Sequence, residues 1–468
     1  MTLRLYDTAS RSVRDFCPRT EGVASMYLCG ATVQGTPHIG HIRGSVNFDV
    51  LKRWLEHRGL TVIYARNVTD IEDKLIERAA SLGVPTWSLA ADNERAFARA
   101  YDVLGCAPPS VEPRASGHIT QIHALVQRLI EGGHAYAAGG DVYFAVASFA
   151  DYGALSGQRP DDMRASDDAD PAAHKRDPRD FALWKASKAG EPSWPSPWGP
   201  GRPGWHIECS AMSAYYLGPE FDIHGAGIDL VFPHNENERA QSHAAGDGSA
   251  AYRLHNGWVV DAAGEKMSKS VGNDLKVDSV LQAVRPAVLR YYLVAAHYRS
   301  TIRGSLAGMA EAQTAYSRLE GFISRATELV GDADPAAAML CADFGTAMDD
   351  DLGTPAALAA IHEVVREANK SLADGDKPAV RGALGSVRRM LGLLGLDPLD
   401  PHWSGTAQSD LAGTVAALVA VALEQRQGAR ARRDFTAADA IRDRLVAAGV
   451  TVEDTPAGPR WTVAGGVG

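Results

Sequence analysis

Between residues 24 and 68 the chain changes its apolar period twice, and that change admits few folds. Ala24 to Cys29 is an apolar run of strand length. Gly30 to Pro37 is punctuated by glycine and proline and cannot continue it. Ile39, Ile42, Val46, Val50, Leu51, Trp54 and Leu55 then recur at helical spacing as far as Gly59, a suitable stop residue. Leu60 to Val68 is β-branched and apolar, a second strand. Strand, helix and strand in this order specify a βαβ unit with a parallel sheet. Ligands of such sheets sit beyond the carboxyl ends of the strands. The loop after Cys29 and the segment Asn67-Val68-Thr69-Asp70 are therefore expected at one crevice.

At 468 residues the chain exceeds a single core, so two to four domains are expected. From about residue 116 to 204 the pattern changes. Asp161 to Asp170 is acidic and poor in apolar residues, and Pro192 to Gly204 is too rich in Pro, Gly and Trp for regular structure. This region is an insertion, with the sheet resuming near Trp205. Residues 305 to 400 are Ala/Leu-rich with helical periodicity, a helix bundle. In a small C-terminal unit, Thr436-x-x-Asp439 caps a helix carrying Ile441 and Leu445 that stops at Gly449. Val450 to Glu453 and Arg460 to Val463 flank Asp454 to Pro459 as a hairpin. The fold class is α/β: a Rossmann-type parallel-sheet domain with an insertion, then a helix bundle and a small α+β unit.

Composition removes several alternatives. The 45% hydrophobic and 22% charged residues are ordinary for a globular chain. No basic segment with a long apolar run follows Met1, so no signal peptide is expected. The longest apolar stretch, Leu411 to Leu423, is too short to span a bilayer and reads as a buried helix. No membrane partner and a cytoplasmic location are expected. Five widely spaced cysteines are not a disulfide framework; they are reduced thiols, either buried or metal ligands. The net charge of −10 argues only weakly against nucleic acid, because a local basic face decides such binding. Arg426, Arg430, Arg432 and Arg433 form one basic cluster, open to phosphate contact or to a solvated helix face.

Two short motifs carry chemistry. His38-Ile39-Gly40-His41 falls where the crevice opens into a helix. Imidazoles at a helix N-terminus can donate to phosphate oxygens, the dipole favours the same anion, and Gly40 permits close backbone approach. Lys266-Met267-Ser268-Lys269-Ser270 lies in a Gly/Ser-flanked loop, Gly264 to Gly272, where ammonium groups can neutralise charge building on an anionic leaving group. A third constellation is Cys29, Cys209, His234 and Glu238. Taken singly, each is open to a bland reading as a buried or incidental residue. As a set, two thiolates, an imidazole and a carboxylate suit zinc, and His234 and Glu238 are one helical turn apart.

The histidine and lysine motifs, in this order, resemble the two signatures of class I aminoacyl-tRNA synthetases. Cys29-Gly30-Ala31-Thr32-Val33, Asn67-Val68-Thr69-Asp70-Ile71, Gly204-Trp205-His206-Ile207-Glu208-Cys209-Ser210 and Phe232-Pro233-His234 with Glu236-Asn237-Glu238 resemble the cysteinyl-tRNA synthetase family, essentially end to end. The resemblance implies one zinc ion per chain on Cys29, Cys209, His234 and Glu238, with the substrate thiolate as a further ligand. It implies ATP, with Mg2+, at His38, Gly40, His41 and Lys269, and catalysis by Lys266, Lys269, His38 and His41. Thr32, Thr69, Trp205, Asp229 and His234 would line the amino-acid pocket. The partners implied are tRNA(Cys), L-cysteine and ATP, acting on a monomer.

The resulting domain expectations are 1–115 for the first half of the Rossmann catalytic domain, 116–204 for the connective insertion, 205–250 for the second half with the zinc ligands, 251–304 for the lysine loop and tRNA-stem contact region, 305–400 for the helix bundle and 401–468 for a small anticodon-binding domain.

Zinc makes physical sense in such an enzyme. Cysteine and serine differ by one atom, which shape discriminates poorly, whereas zinc binds thiolate strongly and a neutral hydroxyl weakly. Thr69 has a bland alternative as the cap of a helix starting near Ile71, since Thr69-x-x-Glu72 fits a capping box; Trp205 and Asp229 have bland alternatives in core packing and a turn. Two positions depart from the family pattern: Asn235 replaces a second histidine, and Ala226 interrupts three glycines. Asn235 is expected to weaken a hydrogen bond behind the zinc site, and Ala226 to narrow the approach to the adenylate pocket. Rival readings are a ligase joining cysteine to an aminosugar in mycothiol synthesis, which lacks the anticodon module, a non-catalytic RNA-binding relative, and a zinc hydrolase, which would leave the lysine loop without a purpose.

Overall fold

The structure, a computed structural model, describes residues 2–158, 174–261, 264–265, 275–455 and 458–463; side chains of 404–414, 416, 453–455, 458–460 and 462–463 are not described. The acidic segment Asp161 to Asp170 and the motif Lys266 to Ser270 thus lie outside the described residues. Two units divide the chain, residues 1–398 and 399–468.

The first unit opens with an antiparallel hairpin, β1 (Arg4–Asp7) and β2 (Ser12–Asp15). The expected βαβ unit follows as β3 (Val23–Leu28), α1 (Ile39–His57) and β4 (Thr61–Arg66), with β3 and β4 parallel. Then come α2 (Asp73–Leu82) and α3 (Thr86–Val103). The inserted segment folds as α4 (Ile119–Glu131) and a four-stranded antiparallel sheet of β5 (Ala135–Ala138), β6 (Asp141–Phe144), β7 (Phe181–Ala186) and β8 (Gly201–Pro203). The Pro/Gly-rich segment 192–204 was expected to hold no regular structure, yet β8 lies within it and pairs with β7. Gly201 backbone groups also exchange hydrogen bonds with Trp194. Proline supplies only an acceptor here, and an edge strand tolerates that.

The parallel sheet resumes with α5 (Trp205–Leu217), β9 (Phe221–Gly227), α6 (Glu236–Ala244) and β10 (Ala250–Asn256), giving the order β10-β9-β3-β4. Buried apolar side chains of α1, including Ile42, Val46, Leu51, Trp54 and Leu55, are the ones that the helical spacing singled out. The chain continues through β11 (Val259–Val260), α7 (Val277–Val280), α8 (Pro286–Val294) and β12 (Ile302–Arg303), with β11 parallel to β12. A run of helices completes the unit: α9 (Leu306–Val330), α10 (Ala342–Asp349), α11 (Thr354–Asp374) and α12 (Lys377–Leu393). Arg290 on α8 is fully buried and ties α1, the end of α3 and the end of α12 together, donating to Asp49, Leu104 O and Leu394 O at 2.5, 2.9 and 2.8 Å.

The second unit holds α13 (Pro401–Ala431), α14 (Phe435–Ala447) and the antiparallel hairpin β13 (Val450–Thr455) and β14 (Gly458–Val463). Its core is Val419, Leu423 and Val450. The stretch 411–423 was expected to be a buried helix, but Leu418 and Val421 are exposed: a two-helix unit this small buries only one stripe of a helix. The cap of α14 is Asp434, accepting from Ala437 N, and not Thr436, which lies inside the helix. Of the arginine cluster, Arg426 is buried while Arg430, Arg432 and Arg433 are exposed. No described helix is long and apolar enough to cross a membrane.

Candidate active site

The site is built at the carboxyl ends of β3, β4 and β9. Cys29 directly follows β3, and its amide donates to Gly225 O of β9 at 2.9 Å. Gly30 then passes against the exit of β4. A Cβ at this position would overlap the Asn67 backbone, so only glycine lets the two exits meet. Gly30 N donates to Asn67 Oδ1 at 2.8 Å. Beyond this point the parallel pairing continues through a Thr32–Thr69 bridge, with Thr69 N donating to Ala31 O and Val33 N to Thr69 O, both at 3.2 Å.

Across from Cys29 stand three buried side chains. Cys209 comes from α5, His234 from the turn Val231–Asn235, and Glu238 from the first turn of α6. The ligand atoms of Cys29, Cys209, His234 and Glu238 lie within 4.8 Å of one another. His234 Nε2 is 3.0 Å from Glu238 Oε1, and Cys29 Sγ donates to the same oxygen at 3.5 Å. Their proton affinities are interlocked. Burial and then the hydrogen bond with Cys209 push the Cys29 thiol up, while that hydrogen bond draws Cys209 down to about 7 against its own burial. Burial alone would raise Glu238, but His224 and His234 hold its carboxyl well below the usual range. Burial would lower His234, yet Glu238 and Cys209 lift it to about 10. Two sulfur donors, one imidazole and one carboxylate, converging in a buried place, fit a zinc ion.

A second layer of polar groups went unnoticed in the sequence. His224 Nε2 lies 2.9 Å from Glu238 Oε2 and 3.7 Å from Cys29 Sγ. His206 Nδ1 lies 3.0 Å from His234 Nδ1, so the two imidazoles share a proton behind the cluster. Glu208, next to Cys209, is fully buried; burial and then Cys209 push its carboxyl well above the usual range, with the Thr69 hydroxyl opposing. Asn235, expected to weaken the site, instead donates from Nδ2 to Glu238 Oε1 at 2.7 Å and to Cys29 Sγ at 3.6 Å. An amide carries donor hydrogens at every pH, so Asn235 can donate to both groups whatever their surroundings. Ala226 is buried within β9, opposite His255 of β10. The signal for the missed groups was polar residues alternating along buried strands: Asp222 and His224 on β9, Arg253 and His255 on β10.

Of the expected pocket residues, Trp205 opens α5 and its ring lies 4.3 Å from that of His234. Thr69 is buried and its hydroxyl accepts from Asn67 Nδ2 at 3.2 Å. It does not cap a helix: α2 starts later, at Asp73, with Glu72 accepting from Lys74 N. The backbone of Thr69 is instead held in the strand-like bridge to Thr32. Asp229 sits on the exposed turn between β9 and His234.

The histidine motif forms the start of α1. His38 is its N-cap, with Nδ1 accepting from Gly40 N at 3.1 Å, and its ring stacks on that of His41 with centroids 3.6 Å apart. A neutral His38 therefore carries its proton on Nε2. The C-terminal stem of the lysine loop attaches at the start of this helix. Ile39 N donates to Leu275 O at 3.0 Å, and Val277 N to Pro37 O at 3.1 Å. Arg43, fully buried one turn on, donates to Gly257 O, Trp258 O and His297 O at 2.8, 2.9 and 3.1 Å.

Comparison with known proteins agrees with this arrangement. Residues 15–314 match the family model of the tRNA synthetases class I (C) catalytic domain, 343–398 the DALR domain, and 410–461 the cysteinyl-tRNA ligase anticodon binding domain. The chain is 56% identical over 465 residues to a cysteine–tRNA ligase of Streptomyces griseus, covering 99% of each. It is 58% identical over 474 residues to that of a Nocardioides species, covering 99% of this chain and 100% of the relative. Among solved structures, a Mycobacterium tuberculosis methionyl-tRNA synthetase bound by methionyl-adenylate superposes with a TM-score of 0.61 at 16% identity, over 81% of this chain and 92% of that one. A leucyl enzyme of Agrobacterium radiobacter K84 in a ternary complex with tRNA gives 0.62 at 13% identity, over 83% and 86%. At those identities the likeness is one of fold: a class I synthetase sheet with helical domains after it. The full-length identities go further, and the chain belongs to the cysteine–tRNA ligase family.

Proposed function

We propose that the chain activates L-cysteine with ATP and transfers it to the 3′-terminal ribose of tRNA(Cys), and that a zinc ion on Cys29, Cys209, His234 and Glu238 selects the thiol. The observation that carries this reading is the four-donor cluster within 4.8 Å, one strand exit away from the histidine motif. When bound, zinc supplies a Lewis acid that favours thiolate over a neutral hydroxyl. The pocket side chains would hold the rest of the amino acid: Trp205 against His234, with Thr32 and Thr69 on the facing loop and Asp229 at the rim.

The carboxylate of the held cysteine attacks the α-phosphate of ATP, forming cysteinyl-adenylate and releasing pyrophosphate. His38, Gly40 and His41 at the N-terminus of α1 receive the nucleotide phosphates, with Mg2+ accompanying ATP. Lys266 and Lys269 neutralise the charge that grows on the leaving group. A ribose hydroxyl of the tRNA then attacks the acyl carbon and AMP leaves. No protein nucleophile is needed, so rate comes from positioning and electrostatics. A monomer acting in the cytoplasm is the assembly and place proposed. The match of 410–461 to an anticodon-binding domain disfavours the aminosugar ligase and supports tRNA as acceptor.

Cys209→Ser tests the thiol site. Metal analysis and equilibrium binding of cysteine should lose zinc and cysteine together; full zinc occupancy in the variant would contradict the ligand set.

A further inference from the structure

We propose that Asn235 is a positioning residue for Cys29 and Glu238, its amide locked in one orientation by a hydrogen-bond chain that starts at Thr8. The inference rests on the zinc reading above and concerns what fixes the ligands before the ion arrives.

The chain has a single direction. Glu238 as a carboxylate only accepts, so the Asn235 group facing its Oε1 at 2.7 Å must be the Nδ2 amine. The same amine points a hydrogen at Cys29 Sγ, 3.6 Å away. Asn235 Oδ1 is then left to accept, and it does so from His255 Nε2 at 2.9 Å. His255 is buried, and burial followed by the neighbouring charges of His224 and Arg253 lowers its imidazole to about 3, so it carries one proton only. With that proton on Nε2, its Nδ1 accepts, and the Thr8 hydroxyl 2.7 Å away donates. Every donor and acceptor in the series is assigned by its neighbour.

The origin of the chain is itself anchored. Thr8 N donates to Arg253 O at 2.9 Å, and Asp7 receives the Arg253, Ala9 and Ser10 amides. The assignment thus runs from the Glu238 carboxylate, through the amide on the turn before α6 and the imidazole on β10, to the turn after β1, which holds the last donor in place. That amide holds a thiol from β3 and a carboxylate from α6 at a common separation. Residue 8 lies ahead of the segment 15–314 that matches the catalytic family model, so this anchor stands outside the matched domain.

Outer groups that orient metal ligands are worth about 10- to 100-fold in metal affinity. The test uses the full-length chain stripped of metal, with zinc returned in competition with a chromogenic chelator, and Co2+ absorption read as a report of ligand geometry. Asn235→Leu removes both donors at nearly constant volume. It should weaken zinc by about 10- to 100-fold and shift the cobalt bands. Asn235→His, which restores one N–H, should recover part of the affinity. His255→Phe frees the amide to flip and should fall between these. Thr8→Val, remote from the cluster and least able to disturb folding, should show the same shift in smaller measure. Zinc affinity and cobalt bands unchanged in Asn235→Leu, or in Thr8→Val should the first variant fail to fold, would overturn the proposal while leaving the zinc site standing. Failure of the unaltered chain to take up zinc would remove the zinc reading itself, and this inference with it.

Discussion

Gly30→Ala isolates the contact on which the site depends. In the native chain the exits of β3 and β4 touch at Gly30 and Asn67. A methyl there would lie 2.8 Å from the Asn67 carbonyl carbon, with the carbonyl oxygen nearer still, where ordinary contact begins at 3.4 Å. Backbone cannot rotate away as a side chain would, so the two exits must separate by about 1 Å or more. The Gly30 N to Asn67 Oδ1 bond lengthens with them. Overpacking of this kind costs about 1 to 3 kcal/mol, less than the stability of an ordinary domain, so the protein should still fold. Catalysis is less tolerant: a displacement of about 1 Å in a positioned group costs about 100-fold in rate. That is about 2.7 kcal/mol of transition-state stabilisation, lost at Cys29 on one side and Thr69 on the other. Cysteine-dependent ATP–pyrophosphate exchange should therefore fall by about 100-fold or more, with reduced zinc content and a melting temperature lowered by only a few degrees. A Gly30→Ala variant with full zinc and exchange within a few-fold of the native chain would refute the argument that this close approach sets the site.

Three other outcomes follow, the first from the proposed reaction and the others from described contacts. Lys269→Ala should nearly abolish pyrophosphate exchange while leaving zinc content intact; exchange at the native rate would remove Lys269 from the reaction. Arg43→Met removes three charge-assisted hydrogen bonds, to Gly257 O and Trp258 O ahead of the lysine loop and to His297 O, while each carbonyl keeps a second donor in Asn256 Nδ2, Ile302 N or Ser300 N. Denaturant unfolding should show a loss of about 1 to 3 kcal/mol, and the KM for ATP should rise. Asp49 supplies a pH test: burial would raise its carboxyl, but Arg290 and Arg53 hold it below its ordinary value. A depressed folded value stabilises the protein above the unfolded value of about 3.9 and is lost as pH falls through the folded value. Stability measured between pH 7 and 3 should thus drop below about pH 4, and Asp49→Asn should flatten that drop; parallel curves for the two proteins would contradict it.

How much was legible in the sequence depended on how local the deciding contact is. The βαβ unit was legible because Ile42, Val46 and Leu51 report burial through their own spacing, and Gly30 and Gly59 mark the ends. The cap at Thr436 misled, because α14 already starts at Phe435 and Asp434 accepts at its end; the alternative that Thr69 caps a helix fails too, because α2 starts only at Asp73 with Glu72 as its cap. The strand at Gly201–Pro203 was hidden because its partner, β7, supplies the pairing that its own residues do not advertise. The four residues of the donor cluster stand together in the structure, but only Cys29 could be placed at the crevice from pattern alone. The outer layer was illegible for the same reason. Asn235, His255 and Thr8 acquire meaning only through one another, across separations of 20 and 247 residues. A residue-by-residue reading of Asn235 took it for a loss; its three hydrogen bonds make it a bridge.

Discrimination between cysteine and serine tests the central claim most directly. The full-length chain, zinc-loaded and chelator-stripped, would be assayed for charging of tRNA(Cys) with each amino acid. Zinc selection of the thiol requires strong charging with cysteine and almost none with serine when loaded, and loss of cysteine charging on stripping that returns with added zinc. Cysteine charging that persists undiminished, with serine still rejected, after zinc has been removed would contradict it.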